Sequence, residues 1–168
     1  MPAFQHGKRL AYPSVFWPSW RLGGEKKGEK GERMAPGLTL ERVEQCLQQG
    51  KAEAQRLGVQ AAIVVVDAAG HLMGALRFAD ALWVTPEIAQ AKATTAVAFR
   101  ASTAELEERW QARPMFANSV VNLAPGRFVV GKGAVPILVN GTVAGAVGVS
   151  GGIPADLDHA IAEAAVRP

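Results

Sequence analysis

The chain has 168 residues, about half of them apolar, a size that suits one globular domain burying roughly two thirds of its unfolded surface. The formal charge of +3 is uneven: residues 1–33 hold seven Lys or Arg against three Glu, which leaves 11 basic and 12 acidic side chains over 34–168 and no excess that would grip a phosphate backbone. A single cysteine, Cys46, excludes an internal disulfide and an all-cysteine metal cage, and it reads as a small buried hydrophobe. No apolar run reaches the ~18 residues that span a bilayer, and the first residues are broken by prolines and charges where a secretory signal would be continuously apolar. A cytoplasmic protein is expected, with neither nucleic acid nor membrane as partner.

Residues 1–37 read as an extension distinct from a domain over 38–168. Gly23 to Arg33 is charged, glycine-rich and of low complexity, so it is expected to form a disordered linker. Ahead of it, Tyr12, Phe16, Trp17 and Trp20 interleave with Pro13 and Pro18. Met34-Ala35-Pro36-Gly37 then begins like a fresh protein, so two readings stand for the extension: a real tail, or a start codon placed too early.

Within the domain, Thr39 is a good N-cap. Leu40, Val43, Leu47, Gly50, Ala54 and Leu57 follow at steps of three and four, which predicts a helix over 40–57 closed by Gly58. Ala61 to Val66 is strand-like, Asp67-Ala68-Ala69-Gly70 turns the chain, with Asp67 organising the turn through its side chain, and His71 to Phe78 returns as a second strand. Thr85-Pro86-Glu87 reads as N-cap, N1 proline and first-turn acid of a helix whose stripe is Ile88, Lys92, Thr95 and Phe99. Ser102-Thr103-Ala104-Glu105 is a capping box opening a further helix that Arg113-Pro114 stops. Asn140-Gly141, between β-branched runs, predicts a type I′ hairpin, and Gly145 and Gly148 in its second arm leave room for another backbone, a subunit or a flat ligand. Pro154 to Val166 supplies a closing helix. Hairpins joined by helices, in the order α, β, β, α, α, β, β, α, imply an α+β domain with a mainly antiparallel sheet of two hairpins flanked by helices.

Several patterns that resemble catalytic motifs do not extend to the full motif. Gly148-Val149-Ser150-Gly151-Gly152 has no immediate helix after the serine, as a nucleophile elbow requires. Gly131-Lys132-Gly133 lacks the length and ending of a P-loop. Asp158 and His159 fall on adjacent helix faces, and Asp156 suits helix capping. His71, an imidazole beside a turn, is the better candidate metal ligand; the alternative is a solvent-facing hairpin residue. No catalytic triad is legible.

Four segments together resemble one family. Val66-Asp67-Ala68-Ala69-Gly70-His71-Leu72, Ala91-Lys92-Ala93-Thr94-Thr95-Ala96, Gly133-Ala134-Val135-Pro136-Ile137, and Gly145-Ala146-Val147-Gly148-Val149-Ser150-Gly151-Gly152 are similar, in this order, to the GlcG/HbpS haem-binding-like family. Its domain also forms the C-terminal part of PduO-type corrinoid adenosyltransferases. The resemblance covers residues 38–166 and implies a profilin-like arrangement of layers and self-assembly from homodimers up to octamers. It also implies haem or another tetrapyrrole as ligand. Haem asks for apolar walls, a cation for the propionates and an axial donor. By residue type, Phe99, Met115 and Phe116 would serve as walls; Arg77, Lys92, Arg100 and Arg113 as cations; and His71, or a hydroxyl of Thr95 or Thr103, at the iron. Three functions follow as expectations: a non-covalent haem or tetrapyrrole module in storage, sensing or corrinoid handling; a small-metabolite protein or enzyme of hydroxy-acid or diol catabolism; and an oligomeric assembly partner without chemistry.

Overall fold

The computed structural model describes residues 37–168, so the extension expected over 1–37 lies, but for Gly37, outside the described residues. The first helix, α1 (Leu40–Leu57), starts where Thr39 Oγ1 accepts the Arg42 amide at 3.3 Å and ends where Gly58, at φ 68°, donates to the Ala54 and Gln55 carbonyls. Its buried stripe is Val43, Cys46, Gly50 and Ala54. Leu40, assigned to that face by spacing, is 59% exposed, because the stripe begins one turn later. Two hairpins follow the expected pattern: β1 (Ala62–Asp67) with β2 (Leu72–Arg77), and β3 (Ala134–Val139) with β4 (Thr142–Ser150). Asn140 and Gly141 take φ 52° and 75°, the pair of positive angles that a type I′ turn requires. Antiparallel pairing of β1 with β4 joins the hairpins into one four-stranded sheet in the order β2-β1-β4-β3. The domain is α+β, with an all-antiparallel sheet.

The apolar run in β1 is continuous because both of its faces are covered. Ile63 and Val65 join Val43 and Cys46 of α1 and Ile161 and Ala165 of α5 (Asp156–Ala165) on one side. Ala62, Val64 and Val66 meet Ala89, Ala93 and Ala96 of α2 (Thr85–Phe99) on the other. The second layer lies unusually close to the sheet. A methyl group at Gly148 would overlap the Ala89 carbonyl oxygen and lie 2.9 Å from the Ala93 amide nitrogen, so the approach left open by that glycine is taken by the backbone of the chain's own α2.

α2 departs from its predicted form in two ways. Its N-cap is Val84, without a side-chain cap, while Thr85 lies inside the first turn and donates its hydroxyl to the Leu82 carbonyl at 2.8 Å. Ala91 to Val97 are all buried, so the single stripe of Ile88, Lys92, Thr95 and Phe99 does not describe this helix: the sheet, the helix over Thr103–Gln111 and the segment before β3 enclose it. In α3 (Thr103–Gln111) the Ser102–Glu105 capping box forms with both hydrogen bonds. Arg113-Pro114 then ends α3 but also opens α4 (Pro114–Leu123), a helix that the sequence alone does not separate, because proline suits a first helical turn as well as it stops a preceding helix. Among the described residues no helix is long and apolar enough to cross a membrane.

Candidate functional site

The β1–β2 turn builds the most chemically distinctive corner of the domain. Asp67, at the end of β1, accepts the Ala69 amide at 2.9 Å and the His71 amide at 2.8 Å on Oδ1, and Gly70 closes the turn at φ 83°. Its other oxygen, Oδ2, lies 3.2 Å from His71 Nδ1. Burial works against ionisation of Asp67, but the amides and ring of its own turn outweigh it and hold the carboxyl below its ordinary range. A carboxylate at Nδ1 favours the proton on that nitrogen, which leaves the lone pair on Nε2 of an imidazole whose side chain is 74% exposed.

His71 borders a cleft of about 360 Å³. One wall is the face of α2 carrying Glu87, Gln90, Ala91 and Thr94, four residues brought into line by steps of three and four. The other wall is Leu72 with Gly126 and Arg127 from the connection between α4 and β3. Arg127 reaches across Gly70: a methyl group there would lie 3.6 Å from its Nη2 and 3.0 Å from Thr94 Cγ2. Among the described residues neither Arg127 nor Glu87 has an ion-pair partner. The cleft therefore offers one oriented imidazole, one available guanidinium, one carboxylate and small apolar surfaces. Among the described residues no three His, Cys, Asp or Glu side chains gather as a metal-holding group, so a metal at His71 would arrive with its other ligands.

The remaining residues singled out in the sequence do not line this cleft. Lys92 is turned inward: Nζ lies 2.8 Å from Asp158 Oδ2 and 3.1 Å from the Val149 carbonyl, tying α2 to β4 and α5. Asp158 Oδ1 accepts the Gly152 amide at 2.7 Å. The Thr95 hydroxyl donates to the Ala91 carbonyl and accepts the Val129 amide at 3.0 Å, and that of Thr103 accepts the Ala134 amide at 2.9 Å. Both threonines are fully buried and pin the segment leading into β3, which supplies a structural use for hydroxyls considered as axial donors. Arg77 sits at the far end of β2 from His71 and donates to the Ala79 and Ala81 carbonyls of the following turn. Phe99, Arg113 and Phe116 belong to an aromatic corner around Trp110, with Phe99–Trp110 centroids 4.8 Å apart and the Arg113 guanidinium 4.5 Å from the Phe116 ring. Met115 beside them is 85% exposed. Arg100 lines a different hollow, near the β3–β4 turn. In α5, Asp156 pairs with Lys132 at 2.7 Å while His159 Nε2 is 3.4 Å from Glu163, so Asp156, Asp158 and His159 take three separate partners.

An antiparallel four-stranded sheet layered between helices, with an imidazole-bearing cleft at one end, defines a compact α+β sandwich class. Within it, the chain belongs to the HbpS-like family: the family model described as "Haem degrading protein HbpS-like" matches residues 38–167. It is 32% identical over 130 residues to an uncharacterised 15.0 kDa protein from the dhaT-dhaS intergenic region of Citrobacter freundii, covering 77% of this chain and 89% of that protein. Over 107 residues it is 35% identical to Protein GlcG of Escherichia coli K12, covering 60% of this chain and 72% of the relative. Among solved structures it resembles a PduOC:heme complex, with a TM-score of 0.71 and 30% identity, covering 78% of this chain and 94% of that one.

Proposed function

We propose that this chain is a non-covalent tetrapyrrole-binding module that takes haem at the His71 cleft. The observation that carries the reading is the Asp67–His71 pair, which holds by its Nδ1 an exposed imidazole lining a cleft where Arg127 has no carboxylate partner among the described residues. The residues suit the group: His71 would be the axial donor, Arg127 the partner of one propionate, and Leu72, Ala91 and the Thr94 methyl the surface against the ring. Glu87 at the same cleft disfavours a second carboxylate near it and so favours one orientation of the ring. Family membership and the likeness to a heme complex support the ligand class. Haem would bring an iron centre whose reactivity the cleft's access and polarity set.

A smaller ligand is the second reading. The cleft volume lies near the low end of ligand sites, about 300–1,000 Å³, and a guanidinium with a neighbouring amide and imidazole suits a short hydroxy acid. Absorbance titration of the full chain with haemin distinguishes the two. A saturable, red-shifted Soret band weakened in Arg127→Gln supports haem; a featureless response, together with a thermal shift produced by small hydroxy acids, transfers the cleft to metabolites.

A further inference from the structure

α2 ends on a residue whose backbone conformation suits glycine. Arg100 takes φ 52° and ψ 38°, the left-handed geometry that disfavours any residue carrying a Cβ. Its amide closes the helix by donating to the Ala96 and Val97 carbonyls, a task glycine would perform as well. Its side chain makes no ion pair among the described residues. An arginine held in a disfavoured conformation, with its charge unpaired, points to a use for the side chain itself. That side chain borders a hollow of about 400 Å³ beside the β3–β4 turn. Val97 and Val143, which belong to the layer between α2 and the sheet, give the hollow apolar surface, extended by Leu138 and by Ala68 of the β1–β2 turn. Thr142 adds a hydroxyl. Among the described residues no Asp or Glu lines it, and Asp67, next to Ala68 in the chain, has both oxygens engaged by its own turn. The His71 cleft differs, because there Glu87 accompanies Arg127.

We propose that the Arg100 hollow is a second ligand site, separate from the His71 cleft, and that it takes a monocarboxylate with a compact apolar body. The planar guanidinium presents two parallel N–H groups that match the two oxygens of a carboxylate. The Thr142 hydroxyl is the neighbouring donor, and the valine, leucine and alanine side chains receive the body of the ligand. An uncharged ligand would leave the arginine unanswered, and inorganic phosphate would leave the aliphatic surface uncovered. The volume falls within the range of small-molecule sites, about 300–1,000 Å³. The two sites share no lining residue: Ala68 borders this hollow, whereas Gly70, His71 and Leu72 of the same hairpin border the cleft. The assignment therefore does not depend on what the His71 cleft binds.

Calorimetric titration of the full chain with benzoate tests this site, with benzamide as the uncharged analogue and inorganic phosphate as the anion without an apolar body. Benzoate should bind saturably, and both controls should bind more weakly by roughly tenfold or more, the loss expected when a charged hydrogen bond or the apolar contact is missing. Arg100→Gln and Arg100→Gly should weaken benzoate by a similar factor, while Arg127→Gln, in the other cleft, leaves its affinity unchanged. Arg100→Gly also separates ligand binding from folding: it relieves the left-handed strain, so the melting temperature should hold or rise as binding falls. Absence of saturable binding to wild type, equal binding of benzamide or phosphate, or full affinity in both Arg100 variants overturns the proposal. Loss of benzoate binding in Arg127→Gln overturns it as well, by placing the ligand in the His71 cleft.

Discussion

Lys92 and Asp158 meet 2.8 Å apart with side chains 8% and 3% exposed, so removing either strands a buried charge. Lys92→Met should destabilise the domain by ~3–5 kcal/mol in chemical denaturation, and adding Asp158→Leu should recover part of the loss. Gly148→Ala should cost ~1–3 kcal/mol, because a methyl group meets the α2 backbone, which cannot swing aside as a side chain would. Asp67 gives a pH-dependent signature. Its folded carboxyl ionises below the ordinary 3.8, so its stabilisation is present above that value and disappears as pH falls through the lower folded one. The stability difference between wild type and Asp67→Asn should shrink as pH falls below about 4. A difference that grew as pH fell below about 4 would contradict the assigned hydrogen bonds.

At the scale of elements, the capping box of α3 is the most separable device. Ser102→Ala removes the acceptor of the Glu105 amide and should cost ~0.5–2 kcal/mol, measured as a lowered denaturation midpoint. Such local devices are legible in the sequence because each is encoded within a few residues: Thr39 and Gly58 bound α1, Ser102 and Glu105 start α3, and Asn140-Gly141 turns the second hairpin. α4 does not stand apart from its surroundings there, because Pro114 both stops one helix and begins another. α2 reads as amphipathic because its sequence says nothing of the layer that closes over its second side. The site is legible in one residue, His71. Arg127 and Thr94 escape sequence reasoning because the cleft joins residues 70–72, 87–94 and 126–127, and only the tertiary fold brings those segments together. The same folding explains why Lys92, Thr95 and Thr103, plausible ligand contacts by residue type, take their partners inside the protein.

For the molecule as a whole, the described fold begins at α1 and the family match at residue 38. A chain starting at Met34 retains every core residue of the three hydrophobic clusters and should keep the melting temperature and assembly size of the full chain. A fall in either would assign residues 1–33 a structural part. The central claim, that the turn-mounted imidazole is the axial donor of a bound tetrapyrrole, is tested most directly by the Soret spectrum of haemin added to wild type and to His71→Ala, each without and with free imidazole. The account predicts a sharp, saturable band in wild type, its loss in the variant and its return when imidazole fills the vacated position. An identical band and affinity in the variant would contradict it and send the search for the axial donor elsewhere in the fold.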